Sequence, residues 1–128
     1  MNKSILIVDD EEMVRYSVQR ILETAGFSVR SAADGRECLS ILRNGFKGLI
    51  LMDIVMPDMD GWDTVKAIVD EGFFEGNLIC MLTGKEVPDI KMEYLKEYVL
   101  DYVLKPFESG RLVQICREYL SYLDKSEN

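Results

Sequence analysis

The sequence predicts an α/β protein, a doubly wound, five-stranded parallel sheet with helices on both faces. Two patterns carry this expectation. Short apolar runs without polar alternation, such as Ile5-Leu6-Ile7-Val8 and Leu49-Ile50-Leu51-Met52, read as strands covered on both sides. Between such runs the apolar residues recur at helical spacing, so strand and helix signals alternate along all 128 residues. That length predicts a single domain that buries one core without staples.

The elements follow in order. Ile5-Leu6-Ile7-Val8 is the first strand. A helix carrying Val14, Val18, Ile21, Leu22 and Ala25 comes next, with Gly26 at its stop. Ser28-Val29-Arg30-Ser31-Ala32 is a weaker strand. Residues 36–44 read helical through Leu39 and Leu42, and Gly45 ends them. The run 49–52 is a fully apolar strand that leads into Asp53. Pro57, Asp58, Asp60 and Gly61 make a loop. Residues 62–71 form a helix with Trp62, Val65, Ile68 and Val69 on one side. Leu78-Ile79-Cys80-Met81-Leu82 is another buried strand, ending at Thr83-Gly84. Pro88 stands near the start of a fourth helix, where its missing N–H costs little, and that helix carries Ile90, Tyr94, Leu95, Tyr98 and Val99. Tyr102-Val103-Leu104 is the final strand, closed by Lys105-Pro106. The last helix shows Leu112, Ile115, Cys116, Tyr119, Leu120 and Leu123. Residues 124–128 read as a polar tail, leaving a core over residues 3–123.

Composition excludes several functions. The chain is 48% hydrophobic and 30% charged, as in soluble globular domains. No apolar run approaches the roughly 20 residues a membrane span needs, so no membrane insertion is expected. The N-terminus lacks the pattern of a signal peptide, which points to the cytoplasm. A net charge of −8 is the wrong sign for binding nucleic acid directly or anionic lipid. There is no histidine, and Cys38, Cys80 and Cys116 form no CxxC pair, which argues against zinc. All three fall in apolar patterns and read as small buried hydrophobes.

Parallel α/β sheets bind ligands at the carboxyl ends of their strands. Just past those ends stand Asp9 and Asp10, then Asp53, then Thr83-Gly84, then Lys105. Alone, each is ordinary: a solvated turn, a strand-end acid, a helix cap, a surface lysine. Together they gather three carboxylates, a hydroxyl and an ammonium. Clustered carboxylates repel unless a cation neutralises them. Oxygen donors without His or Cys select a hard cation, Mg²⁺ before Mn²⁺ or Ca²⁺. A carboxylate beside such a metal is a known phosphoryl acceptor. Lysine supplies a point charge for phosphate, and threonine a donor.

The segments Ile7-Val8-Asp9-Asp10-Glu11, Met52-Asp53-Ile54-Val55-Met56-Pro57-Asp58-Met59-Asp60-Gly61, Leu82-Thr83-Gly84 and Tyr102-Val103-Leu104-Lys105-Pro106-Phe107 resemble the receiver domain of two-component response regulators. The resemblance implies a flavodoxin-like strand order 2-1-3-4-5. It implies that Asp53 takes a phosphoryl group from a sensor histidine kinase or phosphotransfer protein. Asp10, Asp53 and the backbone carbonyl of Val55 would bind Mg²⁺ directly, and Asp9 mainly through water. Thr83, the N–H of Gly84 and Lys105 would hold the phosphoryl oxygens. Tyr102 would be an aromatic switch that turns inward as Thr83 moves, and Lys105-Pro106 would be cis. Gly84 and Lys85 depart from commoner family residues, and the segment 70–77 is unusually aromatic.

The predicted function is thus a phosphorylation-dependent switch. Its only enzymatic activity is self-catalysed transfer to Asp53 and autodephosphorylation. The related alternative is a phosphate sink or phosphorelay intermediate. A small Mg²⁺-dependent phosphohydrolase would need a second acid two residues after the nucleophile, where Val55 stands. A flavodoxin-like binding module would need a phosphate loop where Asp9-Asp10-Glu11 would repel phosphate. The polar ending fits a natural terminus, so a single-domain regulator over 1–128 is expected, the alternative being a receiver cut from a larger protein. It would signal to a downstream protein through the face of the fourth helix, fifth strand and last helix, or by forming a homodimer on phosphorylation.

Overall fold

The computed structural model describes residues 2–84 and 90–126. Five strands form one parallel sheet: β1 (Ser4–Val8), β2 (Ser28–Ala32), β3 (Leu49–Asp53), β4 (Leu78–Thr83) and β5 (Asp101–Leu104). Their order is β2-β1-β3-β4-β5, the order the resemblance implied. Four α-helices, α1 (Glu12–Thr24), α2 (Gly35–Arg43), α3 (Gly61–Asp70) and α4 (Ser109–Ser126), cover the two faces.

The apolar runs are continuous because both faces of each central strand are covered. Leu6, Val8, Ile50, Met52, Ile79 and Met81 point to one side, into a core shared with Cys38, Leu42, Trp62, Val65 and Ile68 of α2 and α3. The residues between them, Ile5, Ile7, Leu49, Leu51, Cys80 and Leu82, point to the other. There they meet Val18 and Leu22 of α1 and Leu112, Cys116 and Leu120 of α4. Burying so many large side chains at roughly 1.5–3 kcal/mol each is what holds the layers together. The weaker pattern of residues 28–32 has a simple cause, since β2 is an edge strand with only Val29 and Ala32 buried. All three cysteines are buried and free. Burial pushes the Cys38 and Cys116 thiols up to about 12, so they are inert at neutral pH.

Local signals set the element ends. Gly26 and Gly45 follow α1 and α2 with φ of +99° and +101°, a region open to glycine. Asp34 caps α2 by accepting from the Glu37 N–H at 2.8 Å. Asp60 and Asp63 form a reciprocal capping box at the start of α3. Lys105-Pro106 is cis.

Two expectations need correction. The fourth helix is, within the described residues, a 3₁₀ helix over Glu93–Tyr98. Leu95 is its single fully buried anchor, and its N-cap residue Met92 makes no side-chain cap bond. One anchor without a cap does not support a long α-helix, and short i→i+3 turns are the remaining option. The last helix also runs to Ser126, beyond the predicted limit at Leu123, because nothing after Leu123 breaks helix. Pro88 and Lys85 lie outside the described residues. No described helix is long and apolar enough to cross a membrane.

Candidate functional site

The parallel order brings the carboxyl ends of β1, β3, β4 and β5 to one edge of the sheet. Asp9 follows β1, Asp53 is the last residue of β3, Thr83 the last of β4, and Lys105 follows β5. The ladder fixes their relative height: Asp53 pairs with Leu82, Thr83 pairs with Leu104, and the Lys105 N–H donates to the Thr83 carbonyl at 2.7 Å.

Asp9 is fully buried and held at four points. Its N–H donates to the Ala32 carbonyl at 3.1 Å. Its Oδ1 accepts from the Glu11 N–H at 2.9 Å, and its Oδ2 from Lys105 Nζ at 2.8 Å. Its carbonyl accepts from Arg15 Nη1 at 2.8 Å. Both carboxylate oxygens are therefore engaged by donors of the protein itself.

Asp53 is 6% exposed. Its Oδ1 lies 3.3 Å from Lys105 Nζ and accepts from the Val55 N–H at 3.4 Å. Burial first, and the charge of Asp9 second, push its carboxyl up to about 6, against the opposing pull of Lys105. Burial presses the Lys105 ammonium down, but its bond to Asp9 and the charges of Asp53 and Asp9 outweigh that and hold it above its ordinary value. Thr83 is buried at 7% exposure, while Asp10 and Gly84 are exposed. The Val55 side chain is 76% exposed.

One oxygen each from Asp9, Asp10 and Asp53 lie within 4.8 Å of one another. Hard oxygen donors, one of them exposed, with more carboxylates than ammonium groups, fit a hydrated divalent cation such as Mg²⁺. Tyr102 packs near Trp62, with ring centroids 6.4 Å apart. Its hydroxyl is already buried and has no hydrogen-bond partner among the described residues.

The sequence reading missed Arg15. It stands one turn into the helix that follows the acidic pair, and that position was the available signal. It also missed Lys91, whose Nζ bridges Asp60 at 3.2 Å and Asp63 at 3.0 Å and so ties the chain before the 3₁₀ helix to the start of α3.

Fold and site together define a flavodoxin-like domain with an acidic, lysine-bearing cluster at its sheet edge. The chain matches the response regulator receiver domain family over residues 5–117, and it belongs to that family. Among solved structures it is similar to a CheY-like response regulator receiver domain protein from Methanospirillum hungatei. The TM-score is 0.91 and the identity 44%, over 95% of this chain and 97% of that one. The chemotaxis protein CheY of Thermotoga maritima is 31% identical over 89% of this chain and 94% of its own length. A probable transcriptional regulator, ycf27, of Porphyridium aerugineum is 32% identical, and the chain spans 51% of its length. The chain spans 24% of the C4-dicarboxylate transport regulator DctD of Rhizobium meliloti, at 33% identity.

Proposed function

We propose that the chain is a phosphorylation switch whose acceptor is Asp53. The observation that carries this reading is a buried carboxylate 3.3 Å from a lysine ammonium, with two further carboxylates beside it. An Asp53 oxygen attacks the phosphorus of a phosphohistidine on a sensor kinase or phosphotransfer protein. The P–O bond forms, the P–N bond breaks, and the imidazole leaves. Lys105 stays paired with the developing negative charge, and the Thr83 hydroxyl and Gly84 N–H donate to the phosphoryl oxygens. Asp10, Asp53 and the Val55 carbonyl would hold Mg²⁺, or Mn²⁺ in its place, with Asp9 steadying Lys105. When bound, the cation supplies positive charge to the phosphoryl oxygens.

In this reading residues 1–128 act as one receiver domain in the cytoplasm. The outlet is a protein surface. The 3₁₀ helix, β5 with the residue before it, and α4 each present exposed apolar or aromatic side chains: Tyr94 (60% exposed), Leu100 (42%) and Leu104 (44%), and Tyr122 (39%). Half-exposed aromatics and leucines make anchors for a downstream protein or a second copy. A cleft of about 740 Å³ lies between α1 and α4, away from Asp53.

The test is acetyl phosphate with Mg²⁺, read by intact mass. The wild type gains one phosphoryl group, and Asp53→Asn gains none. Labelling of the Asn variant at the wild-type rate would reject Asp53 as the acceptor.

A further inference from the structure

Arg15 is absent from the set of groups that touch phosphate or cation, yet it grips the site from behind. Its Nη1 donates to the backbone carbonyl of Asp9 at 2.8 Å. That carbonyl lies just past the last paired residue of β1, Val8, so Asp9 keeps a strand bond through its N–H to Ala32 while its carbonyl bonds the Arg15 side chain. The oxygen belongs to the peptide unit joining Asp9 to Asp10. A peptide unit is planar, so a bond that fixes its oxygen also fixes the direction in which the Asp10 backbone leaves it.

The contact follows from the local structure. Arg15 lies in the first turn of α1, which starts at Glu12, and its N–H donates to the Glu11 carbonyl at 3.1 Å. Helical side chains lean toward the helix N-terminus, so a long side chain at this position reaches back over the turn. The N-cap residue Glu11 makes no side-chain cap bond. The turn is instead held by Asp9 Oδ1, the Arg15 guanidinium and the strand bond to Ala32. Asp9 is thereby buried and bonded through both carboxylate oxygens, while Asp10, next in the chain, is exposed.

We propose that Arg15 is a positioning residue that sets the divalent-cation affinity of the site through Asp10. The inference rests on the proposed cation role of Asp10 and Asp53. Geometry and charge make opposite demands here. Removing a positive guanidinium from the turn that carries Asp9 and Asp10 strengthens cation binding if its charge is what matters. It weakens binding if its grip on the peptide is what matters. Outer partners that orient metal ligands are typically worth 10–100-fold in affinity, whereas the charge of a half-buried guanidinium is still partly screened by solvent and salt. The bond is short and charge-assisted, so positioning dominates.

The experiment is calorimetric titration of the phosphate-free protein with MgCl₂. The proteins are the wild type, Arg15→Gln, Arg15→Lys, Asp10→Asn and the double variant Arg15→Gln/Asp10→Asn. Melting curves in EDTA and amide spectra establish that each is folded. Arg15→Gln is expected to weaken Mg²⁺ binding roughly tenfold. Arg15→Lys, which keeps the charge but not the planar fork, is expected to lose a similar factor. In the Asp10→Asn background the Gln change adds little, because the orientation it disturbs no longer serves a ligand. Wild-type affinity in Arg15→Gln, or tighter binding, overturns the proposal, as does full retention of affinity by Arg15→Lys alone. Strictly additive losses overturn it too. If wild type and Asp10→Asn bind Mg²⁺ equally, the cation role of Asp10 itself fails, which is a different result. Should Arg15→Gln not fold, the Lys variant and its own combination with Asp10→Asn decide the matter in the same way.

Discussion

Asp53 faces opposed demands at the scale of a single residue. Its carboxylate must be ionised to act as a nucleophile, yet its burial and the neighbouring Asp9 favour the protonated form, up to about pH 6. In the unfolded chain an aspartate titrates near 3.8. The folded metal-free protein therefore holds this proton more tightly than the unfolded chain does. Stability from Asp53 is fully present below the unfolded value and is lost as pH rises through about 6. The loss is on the order of 2–3 kcal/mol. Asp53→Asn removes that dependence. In EDTA the Asn variant is expected to be the more stable at pH 7–8, and its advantage should shrink by about that amount toward pH 4.5. Melting curves of the two proteins across this range measure the difference, and a pH-independent gap would contradict the burial effect. Tyr102 makes a second case. Its hydroxyl is buried without a partner among the described residues, and a buried unsatisfied donor costs free energy. Tyr102→Phe is expected to raise metal-free stability by about 1 kcal/mol in urea unfolding. A loss of that size would mean that the hydroxyl has a partner in solution.

At the scale of elements, the fold was legible where one physical cause dominates. Strands β1, β3 and β4 read clearly because both their faces are buried, and that leaves a continuous apolar run. The edge strand β2 read weakly for the converse reason. The 3₁₀ helix was misread because apolar spacing cannot tell how many of its positions find a partner, and here Leu95 alone is fully buried. The strand-end positions of Asp9, Asp53, Thr83 and Lys105 were legible from the strand pattern. Arg15 was not, since a side chain that bonds a backbone carbonyl leaves no mark in residue spacing. Gly61, at the start of α3, ties the element scale to the site. A Cβ there would lie 2.4 Å from the Asp53 carbonyl oxygen and 2.9 Å from Ile54 Cα. Both are backbone atoms and cannot swing aside, and the Gly61 N–H also donates to the Ile54 carbonyl at 2.8 Å. Gly61→Ala is expected to cost about 2–3 kcal/mol in urea unfolding and to slow acetyl phosphate labelling by shifting Asp53. Wild-type stability would show that the β3–α3 turn relaxes more easily than its contacts indicate.

Across the whole molecule, the sheet edge that gathers the site also ends beside the surface proposed for signalling. Thr83 and Leu104 are ladder partners, so a movement of β4's last residue is felt in β5. The 3₁₀ helix between them is lightly held. Among the described residues its ties include Leu95, the partly buried Met92, Tyr98 and Val99, an edge-on contact of Tyr98 with Phe74 at 4.9 Å, and the nearby ion pairs of Lys91 with Asp60 and Asp63. Exposed ion pairs contribute about 0–1 kcal/mol each, and segments with few buried contacts are the ones that rearrange. A coupling of about 1–3 kcal/mol from the phosphoryl group is then enough to shift this segment's population. The Tyr102 ring already lies against Trp62 with its hydroxyl buried, so the main change is expected in the 3₁₀ helix and the backbone of β5, with little change in that ring's burial. Adding Mg²⁺ and beryllofluoride, a phosphoryl mimic, should therefore shift amide resonances together over residues 90–104 and along α4. Thr83→Ala should keep the shifts around Asp53 and lose the distant ones. If the wild-type shifts stay next to Asp53, and Thr83→Ala gives the same spectrum, phosphate on Asp53 reaches no outer surface. The domain would then act as a phosphate sink or relay, taking the group from one protein and returning it to water or another carrier.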